Sequence, residues 1–365
     1  MVENARISYK QIIFITFTCR IIVAITYLPS LASPTASQDM WISDILSLPF
    51  LFIISVPIYL LWKRFPDKTI FEYSKIIGGK IGIIIGLLYV WFFIHFTAIT
   101  ICQYCFFLNS AVMPETPMLF FIITLVLLGM YMTYSGIEVI CRVSELIFPV
   151  IIIAILAITL SLVNEMDFNL LKPVMETGMA PLLFDGYTTA SRTVEILVIA
   201  MLLPYLNDKQ KAKKVIVLSY VLIVIFFVII SILILITFGA DLGKTLMFPI
   251  FDVIRLISLG GFYERVESIH MAIWILGGLI KISMYLYLAT LGLSQSLNLN
   301  SYKPVVIPMG VFLVVLTFLI SESIIELRNF TSSDIFNPYA LVYIIIIPMI
   351  LFLISIVRKK GATKN

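Results

Sequence analysis

Ten separate stretches of this chain are each long and apolar enough to cross a lipid bilayer as a helix. A transmembrane helix needs about 20 mostly apolar residues, and the composition, 61% apolar and 13% charged, excludes a water-soluble enzyme, a disordered chain and a nucleic-acid-binding domain. The stretches do not alternate polar with apolar residues, as β-barrel strands would. We therefore predict an all-α polytopic membrane protein of about ten transmembrane helices, with residues 1–365 forming a single transmembrane domain. The predicted spans lie at 11–33, 42–62, 81–109, 118–136, 139–163, 187–206, 215–239, 268–294, 305–322 and 338–357.

The basic residues outside the spans predict the orientation of the chain in the membrane. Ten crossings place both termini on the same side. If that side is the cytoplasm, sixteen lysines and arginines face inward and five face outward. This bias follows the positive-inside rule. We expect both termini and the loop 207–214 to be cytoplasmic, and the segment 240–267 to be external.

The first span contains Leu28-Pro29 about two-thirds of the way across. A proline inside a helix removes a backbone hydrogen bond and clashes with the preceding turn. Transporters use broken helices to expose helix ends to a ligand at membrane depth, whereas many other membrane helices tolerate a simple proline kink. Both interpretations remain open from the sequence.

Ionisable side chains within the predicted spans point to a functional site, because such groups are costly in a membrane and normally face a cavity or a partner. Arg192 and Glu195 lie three residues apart in span 6, so a continuous helix would pair them. Lys281, near the centre of span 8, is then left to find a ligand carboxylate or a carbonyl or acidic partner on span 1 or 6. Arg20 lies about a third of the way into span 1, where it could reach the inner headgroups.

Span 5 begins with a small charged cluster formed by Glu138, Arg142 and Glu145. The spacings of four and three residues allow both carboxylates to reach the one guanidinium on a helix. This pattern predicts a gate or a helix-packing clamp at the cytoplasmic end, and a proton relay is the alternative.

The sequence contains no recognisable catalytic constellation. There are two histidines, no phosphate-binding glycine loop, and no evident Ser, His and Asp set. Cys102-x-x-Cys105 has redox spacing but lies in an apolar span without the strand and turn of a thioredoxin-like motif. We expect no enzyme activity, no metal site and no cofactor.

Taken in order along the chain, several segments resemble one known family. It comprises the B subunits of the nutrient receptors that trigger germination of bacterial endospores, a branch of the amino acid–polyamine–organocation superfamily. The resemblance covers nearly the whole chain. Its carriers are Leu28-Pro29, Trp41-Ile42, 69–73, 82–88, 142–149, 171–174, Glu195, Pro204-Tyr205, 262–268 and Trp274.

The resemblance implies a five-plus-five inverted repeat with broken helices 1 and 6. It also implies a receptor subunit that binds a small germinant, such as an amino acid, in a transporter-like pocket and triggers germination. Such a subunit lies in the bilayer of the spore inner membrane, with a large membrane-anchored A subunit and a lipoprotein C subunit as partners. The family's pocket positions fall on Ile22, Phe92, Phe96, Arg192 and Lys281. A proton-coupled secondary transporter of amino acids or polyamines would need the same fold and is the alternative function.

Overall fold

The computed structural model describes residues 5–27, 37–176, 178–256, 267–321 and 323–361. Within these ranges the backbone forms fifteen α-helices, short 3₁₀ and π segments, and no β-sheet. The helices are α1 (Tyr9–Tyr27), α2 (Met40–Arg64), α3 (Ile70–Gly78), α4 (Lys80–Phe107), α5 (Met118–Ser135), α6 (Ile137–Ser161), α7 (Met179–Ser191), α8 (Glu195–Leu202), α9 (Ala212–Gly243), α10 (Pro249–Arg255), α11 (Glu267–Ser296), α12 (Lys303–Ile320), α13 (Ile324–Phe330), α14 (Ser333–Leu341) and α15 (Ile347–Val357).

The chain is an integral membrane protein. Eight helices of the described ranges are long and apolar enough to cross a membrane, and the bent pair α7 and α8 together makes a ninth. Each coincides with one of the predicted spans. The remaining predicted span, the first, is represented by α1, and the predicted break at Leu28 and Pro29 lies outside the described residues.

The ends of these helices follow local sequence signals. The Thr69 side chain accepts a hydrogen bond from the Glu72 amide, and the Glu72 carboxylate accepts one from the Thr69 amide, so a capping box begins α3. Gly136 joins α5 to α6 with a φ of 96°, a conformation open to glycine but costly for other residues. Such signals let the chain turn tightly between consecutive spans.

The spans differ in how deeply they are buried in the bundle. In the most apolar window of α11, 67% of the residues are buried, against 22% for α6. The central positions of α4 and α11 explain their burial, since the two helices pack extensively against each other. Large apolar side chains on the outer helices point away from the bundle, as expected where lipid is the solvent. They include Ile53, Ile81, Leu146, Leu160 and Val357.

The sixth span is broken. Helices α7 and α8 are bent by 44° at residues 192–194. The span also begins at Met179, earlier than the predicted position 187, because the polar Asp185 is buried within α7 instead of lying in a loop. The break therefore lies within the bundle and not at its surface.

The segment before α1 is joined to the chain that follows α8 by two backbone hydrogen bonds. The Ile7 amide donates to the Tyr205 carbonyl at 2.9 Å, and the Asn207 amide donates to the Ile7 carbonyl at 3.0 Å. These two bonds form an isolated parallel bridge at the end of the bundle where α1 begins.

Candidate ligand-binding site

A cavity of about 90 Å³ lies beside the break between α7 and α8. It is much smaller than the 300–1,000 Å³ of a drug-sized site, so it suits a compact ligand. Helices α1, α4, α7, α9, α11 and α14 contribute to its wall. The described lining residues are Arg20, Val23, Ala24, Tyr27, Phe96, Ile99, Gln103, Thr189, Arg192, Phe227, Lys281, Thr331 and Phe336.

Lys281 of α11 forms a buried ion pair with Glu195, the first residue of α8. Lys281 Nζ lies 3.0 Å from Glu195 Oε1, and the ammonium also lies 5.0 Å from the centre of the Phe96 ring. The sequence-based pairing of Glu195 with Arg192 is therefore wrong. The helix breaks between those two residues, so the three-residue spacing does not place their side chains on one face. The acidic partner on span 6, the alternative considered for Lys281, is the one that forms.

Arg20 of α1 points into the bundle at the other side of the same break. Its guanidinium donates to the carbonyls of Thr189 and Arg192, each at 3.3 Å, and lies 4.9 Å from the centre of the Phe227 ring. These carbonyls are at the C-terminus of α7, where the helix dipole favours a cation. The expectation that Arg20 reaches the inner headgroups is wrong.

Arg192 extends from the break toward the last span. Its Nη2 donates to the Thr331 carbonyl at 2.6 Å, and its Nε donates to the Asn337 side chain at 3.3 Å. Thr331 follows α13, and Asn337 lies on α14. Arg192 thus joins the broken sixth span to the beginning of the last span and to a residue just before it.

The electrostatic balance of the cavity wall is positive. Arg20, Arg192 and Lys281 all line the cavity, and none of its described lining residues is acidic. Glu195 neutralises Lys281, whereas the hydrogen bonds described for the two guanidinium groups go to carbonyl and amide oxygens. A ligand carboxylate in the cavity would therefore contact two arginines whose described hydrogen bonds include no acidic side chain.

Phe96, Arg192 and Lys281 are the predicted pocket residues that line the cavity, whereas Ile22 and Phe92 lie behind it. A methyl group added to Gly277 would lie 2.5 Å from Ile22 Cδ1, so Ile22 fills the space left by that glycine. Phe92 is fully buried and stacks on Phe96 with ring centres 6.1 Å apart. Both residues support the wall and do not face the cavity.

A wider vestibule of about 330 Å³ adjoins the cavity and shares Tyr27, Gln103 and Thr331 with it. At the junction the Tyr27 hydroxyl donates to the Gln103 carbonyl at 2.5 Å. The other described lining residues are Thr245, Met247, Ile324, Ile325, Leu327 and Arg328. On the predicted topology this vestibule faces outward, so Tyr27 stands between the cavity and the outside.

The charged cluster at the start of α6 lies away from the cavity, at an exposed end of the bundle. Arg142 pairs with Glu138 at 3.4 Å, and Glu138 also accepts from the Arg6 amide. Glu145 instead accepts from the Gln11 side chain at 3.1 Å. The expectation that Arg142 reaches both carboxylates is wrong for Glu145, because Gln11 of α1 takes its place.

The metal and redox chemistry of the chain is limited in the residues that the structure covers. No group of three or more His, Cys, Asp and Glu side chains is placed there to hold a metal ion. Cys102 and Cys105 are buried free thiols, and Cys102 donates to the Thr317 carbonyl. Both cysteines serve as small core residues of α4.

Sequence reasoning missed Arg20, Thr189 and Phe227 as lining residues. Arg20 carried the same signal that identified Lys281, because it is an ionisable group inside a span. Its short distance from the predicted inner surface instead favoured the interpretation that it contacts the lipid headgroups. Thr189 and Phe227 carry no such signal, since a threonine and a phenylalanine are ordinary in apolar helices.

The broken sixth span and the cavity beside it define a membrane protein with a transporter fold. The chain is similar to the nucleobase-cation-symport-1 family transporter Mhp1, with a TM-score of 0.70 at 12% identity, covering 97% of this chain and 95% of that one. It is also similar to a Na⁺-coupled sialic acid symporter, with a TM-score of 0.66 at 12% identity over 96% and 90% of the two chains. The likeness to MhsT gives a TM-score of 0.61 at 13% identity over 97% and 99%. These similarities confirm the predicted fold class, an all-α bundle with a five-plus-five inverted repeat.

The chain belongs to the spore germination protein family, whose profile matches residues 6–325. It is 27% identical to spore germination protein KB of Bacillus subtilis (strain 168), over 100% of this chain and 98% of that protein. It is 27% identical to spore germination protein YndE of the same organism, over 98% of both, and 26% identical to spore germination protein XB of Bacillus anthracis, over 69% of this chain and 71% of that protein. The resemblance predicted from the sequence is confirmed. Family and fold together point to a membrane protein without enzymatic activity.

Proposed function

We propose that this chain is the membrane subunit of a spore germinant receptor, and that it binds a small nutrient in the cavity beside the α7–α8 break to trigger germination. Membership of the spore germination protein family supports a role in germination, and the transporter fold supports a ligand site at membrane depth. The proposed partners are a large membrane-anchored A subunit and a lipoprotein C subunit. The proposed location is the inner membrane of the spore, with both termini cytoplasmic.

The nutrient in this proposal carries a carboxylate, as an amino acid does. The observation that carries this step is the pair of cavity-lining arginines, Arg20 and Arg192, whose described hydrogen bonds go to carbonyl and amide oxygens. Burying a cation is costly unless it is paired, and a ligand carboxylate would add an acidic hydrogen-bond partner that the described bonds of the two guanidinium groups do not include. The small cavity volume favours a ligand of few heavy atoms.

The test compares nutrient dose-response curves for spores that carry the wild-type chain or Arg20→Gln as the sole copy. Amino acids are supplied singly, each beside its carboxamide, which lacks the carboxylate. We expect the carboxamides to be inactive. We expect Arg20→Gln to raise the half-maximal concentration about tenfold or more, since a hydrogen bond to a charged group contributes about 1.5–3 kcal/mol.

Arg6→Gln is the matched control, because the Arg6 side chain is exposed, does not line the cavity, and can be replaced without removing the described hydrogen bond that the Arg6 backbone amide donates. It should leave the curve unchanged. Should Arg20→Gln lower the abundance of the protein, Val23→Phe tests the same cavity by filling it while both arginines remain. An unchanged curve for Arg20→Gln or Val23→Phe at normal abundance would contradict the proposed site.

A proton-coupled secondary transporter of amino acids or polyamines is the second candidate function. It is favoured by the fold, because the solved structures similar to this chain are transporters. Uptake of labelled amino acids and polyamines into vesicles containing the purified chain separates the two. Accumulation that depends on a proton gradient supports transport, whereas saturable binding without accumulation supports a receptor.

A further inference from the structure

An open groove of about 500 Å³ runs along the outside of the bundle between α1, α6 and α9. It shares no residue with the cavity beside the α7–α8 break. It lies at the end of the bundle where α1 and α9 begin. The described lining residues are Tyr9, Lys10, Ile13, Phe14, Phe148, Lys214, Leu218, Val221, Leu222 and Ile225.

The groove is apolar along its length and basic at one end. Its only charged lining residues in the described chain are Lys10 and Lys214, both exposed and both in the first turn of their helices. The Tyr9 ring contacts two basic groups, with its centre 5.0 Å from Lys214 Nζ and 5.0 Å from Lys211 Nζ. The remaining lining side chains are aliphatic or aromatic. A groove of this kind suits an amphipathic ligand with an anionic headgroup.

The neighbouring acidic groups are already engaged. On α6, Glu145 accepts from Gln11 and Glu138 pairs with Arg142. Before α9, Asp208 pairs with Lys211 at 3.3 Å. Lys10 and Lys214 form no ion pair with the described residues, so the positive charge at this end of the groove is uncompensated.

The length of the groove matches one leaflet of a bilayer. Along α9 the lining runs from Lys214 to Ile225, and at 1.5 Å per residue this spans about 16 Å. Half of the hydrocarbon core of a bilayer is about 15 Å. The lysines thus lie at headgroup depth when Ile225 lies near the midplane.

We infer that this groove binds an anionic phospholipid, with its phosphate between Lys10 and Lys214 and its acyl chains against the apolar wall. Basic pockets between helices near a membrane surface favour anionic headgroups. The apolar wall supplies acyl-chain contacts that a free phosphate ion would lack. The inference is independent of the nutrient site.

The test measures lipid binding to the full chain purified in detergent, by native mass spectrometry during titration with phosphatidylglycerol or phosphatidylcholine of the same acyl chains. We expect the wild type to prefer phosphatidylglycerol. Each lysine near an anionic lipid contributes a factor of about 5 in affinity, so Lys10→Gln with Lys214→Gln should weaken phosphatidylglycerol binding about 30-fold. Phosphatidylcholine binding should change little.

Lys213→Gln is the matched control, because Lys213 is an exposed neighbour on α9 that does not line the groove. Leu222→Trp tests the apolar wall and should weaken both lipids by filling the groove. Equal binding of the two lipids by the wild type would overturn the inference. So would full binding by the double lysine variant, or a second copy of the chain crosslinked across Leu218 in lipid vesicles.

Discussion

Lys281 and Glu195 are fully buried partners, with Nζ 3.0 Å from Oε1 and only 3% and 1% of their side chains exposed. The pair joins α11 to the N-terminus of α8, where the helix dipole also favours a carboxylate. Arg20 holds the C-terminus of α7 on the other side of the break. At the break, α8 therefore has a carboxylate at its N-terminus and α7 has a guanidinium at its C-terminus. Each is the sign of charge that the helix dipole favours at that end.

Breaking the buried pair from one side should destabilise the protein. Glu195→Gln or Lys281→Met leaves an unpaired buried charge, with an expected cost of about 3–5 kcal/mol. The double variant Glu195→Gln with Lys281→Met carries neither charge and should recover most of this loss. Abundance in membranes and the unfolding midpoint in detergent measure both effects. Additive losses in the double variant would show that the two residues are not coupled.

Gly278 should not tolerate a side chain. A methyl group there would lie 2.1 Å from the Tyr104 ring, which stacks on Trp274 with ring centres 3.7 Å apart. We expect Gly278→Ala to cost about 1–3 kcal/mol through overpacking and to lower the unfolding midpoint. Gly78→Ala is the control, because no atom lies within 4 Å of the added methyl. Equal midpoints for the two variants would contradict the close approach of α4 and α11.

The Glu138–Arg142 pair should contribute little to stability. Its side chains are 41% and 70% exposed, and exposed ion pairs are typically worth less than about 1 kcal/mol. Arg142→Gln should therefore change the unfolding midpoint only slightly. A germination defect in that variant at normal abundance would instead assign a gating role to this end of α6.

The orientation inferred from the basic residues can be tested by cysteine labelling. All four native cysteines are buried, so a membrane-impermeant thiol reagent should give little background. We expect Lys211→Cys to react only in inverted vesicles and Lys244→Cys only in right-side-out vesicles. External labelling at position 211 would refute the predicted topology and the outward direction of the vestibule.

The fold was largely predictable because a membrane imposes one length on every crossing. The apolar runs for α2, α4 and α9 are long, and each ends near charged or turn-forming residues. The start of span 6 was not predictable in this way. Asp185 and the nearby glycine and proline are typical of a loop, whereas the fold buries Asp185 within α7.

The site was less predictable than the fold, because its contacts join distant parts of the chain. Local spacing rules pair residues on one continuous helix, and they failed where the helix breaks between Arg192 and Glu195. The actual partner of Glu195 is Lys281, 86 residues away. The packing of α8 against α11 brings these two side chains together. Their charges alone marked each residue as a candidate, but they did not show that the two residues are partners.

The backbone bridge between Ile7 and the chain after α8 ties the N-terminal segment to the end of the sixth span. Glu195 begins α8 beside the cavity, and Tyr205 lies only ten residues further along. A ligand that displaced α8 would therefore act on a segment that is hydrogen-bonded to the residues ahead of α1. Because both bonds are made by main-chain atoms, removing amide hydrogens is the direct way to break them: Ile7→Pro would remove the bond to the Tyr205 carbonyl, and Asn207→Pro would remove the bond to the Ile7 carbonyl.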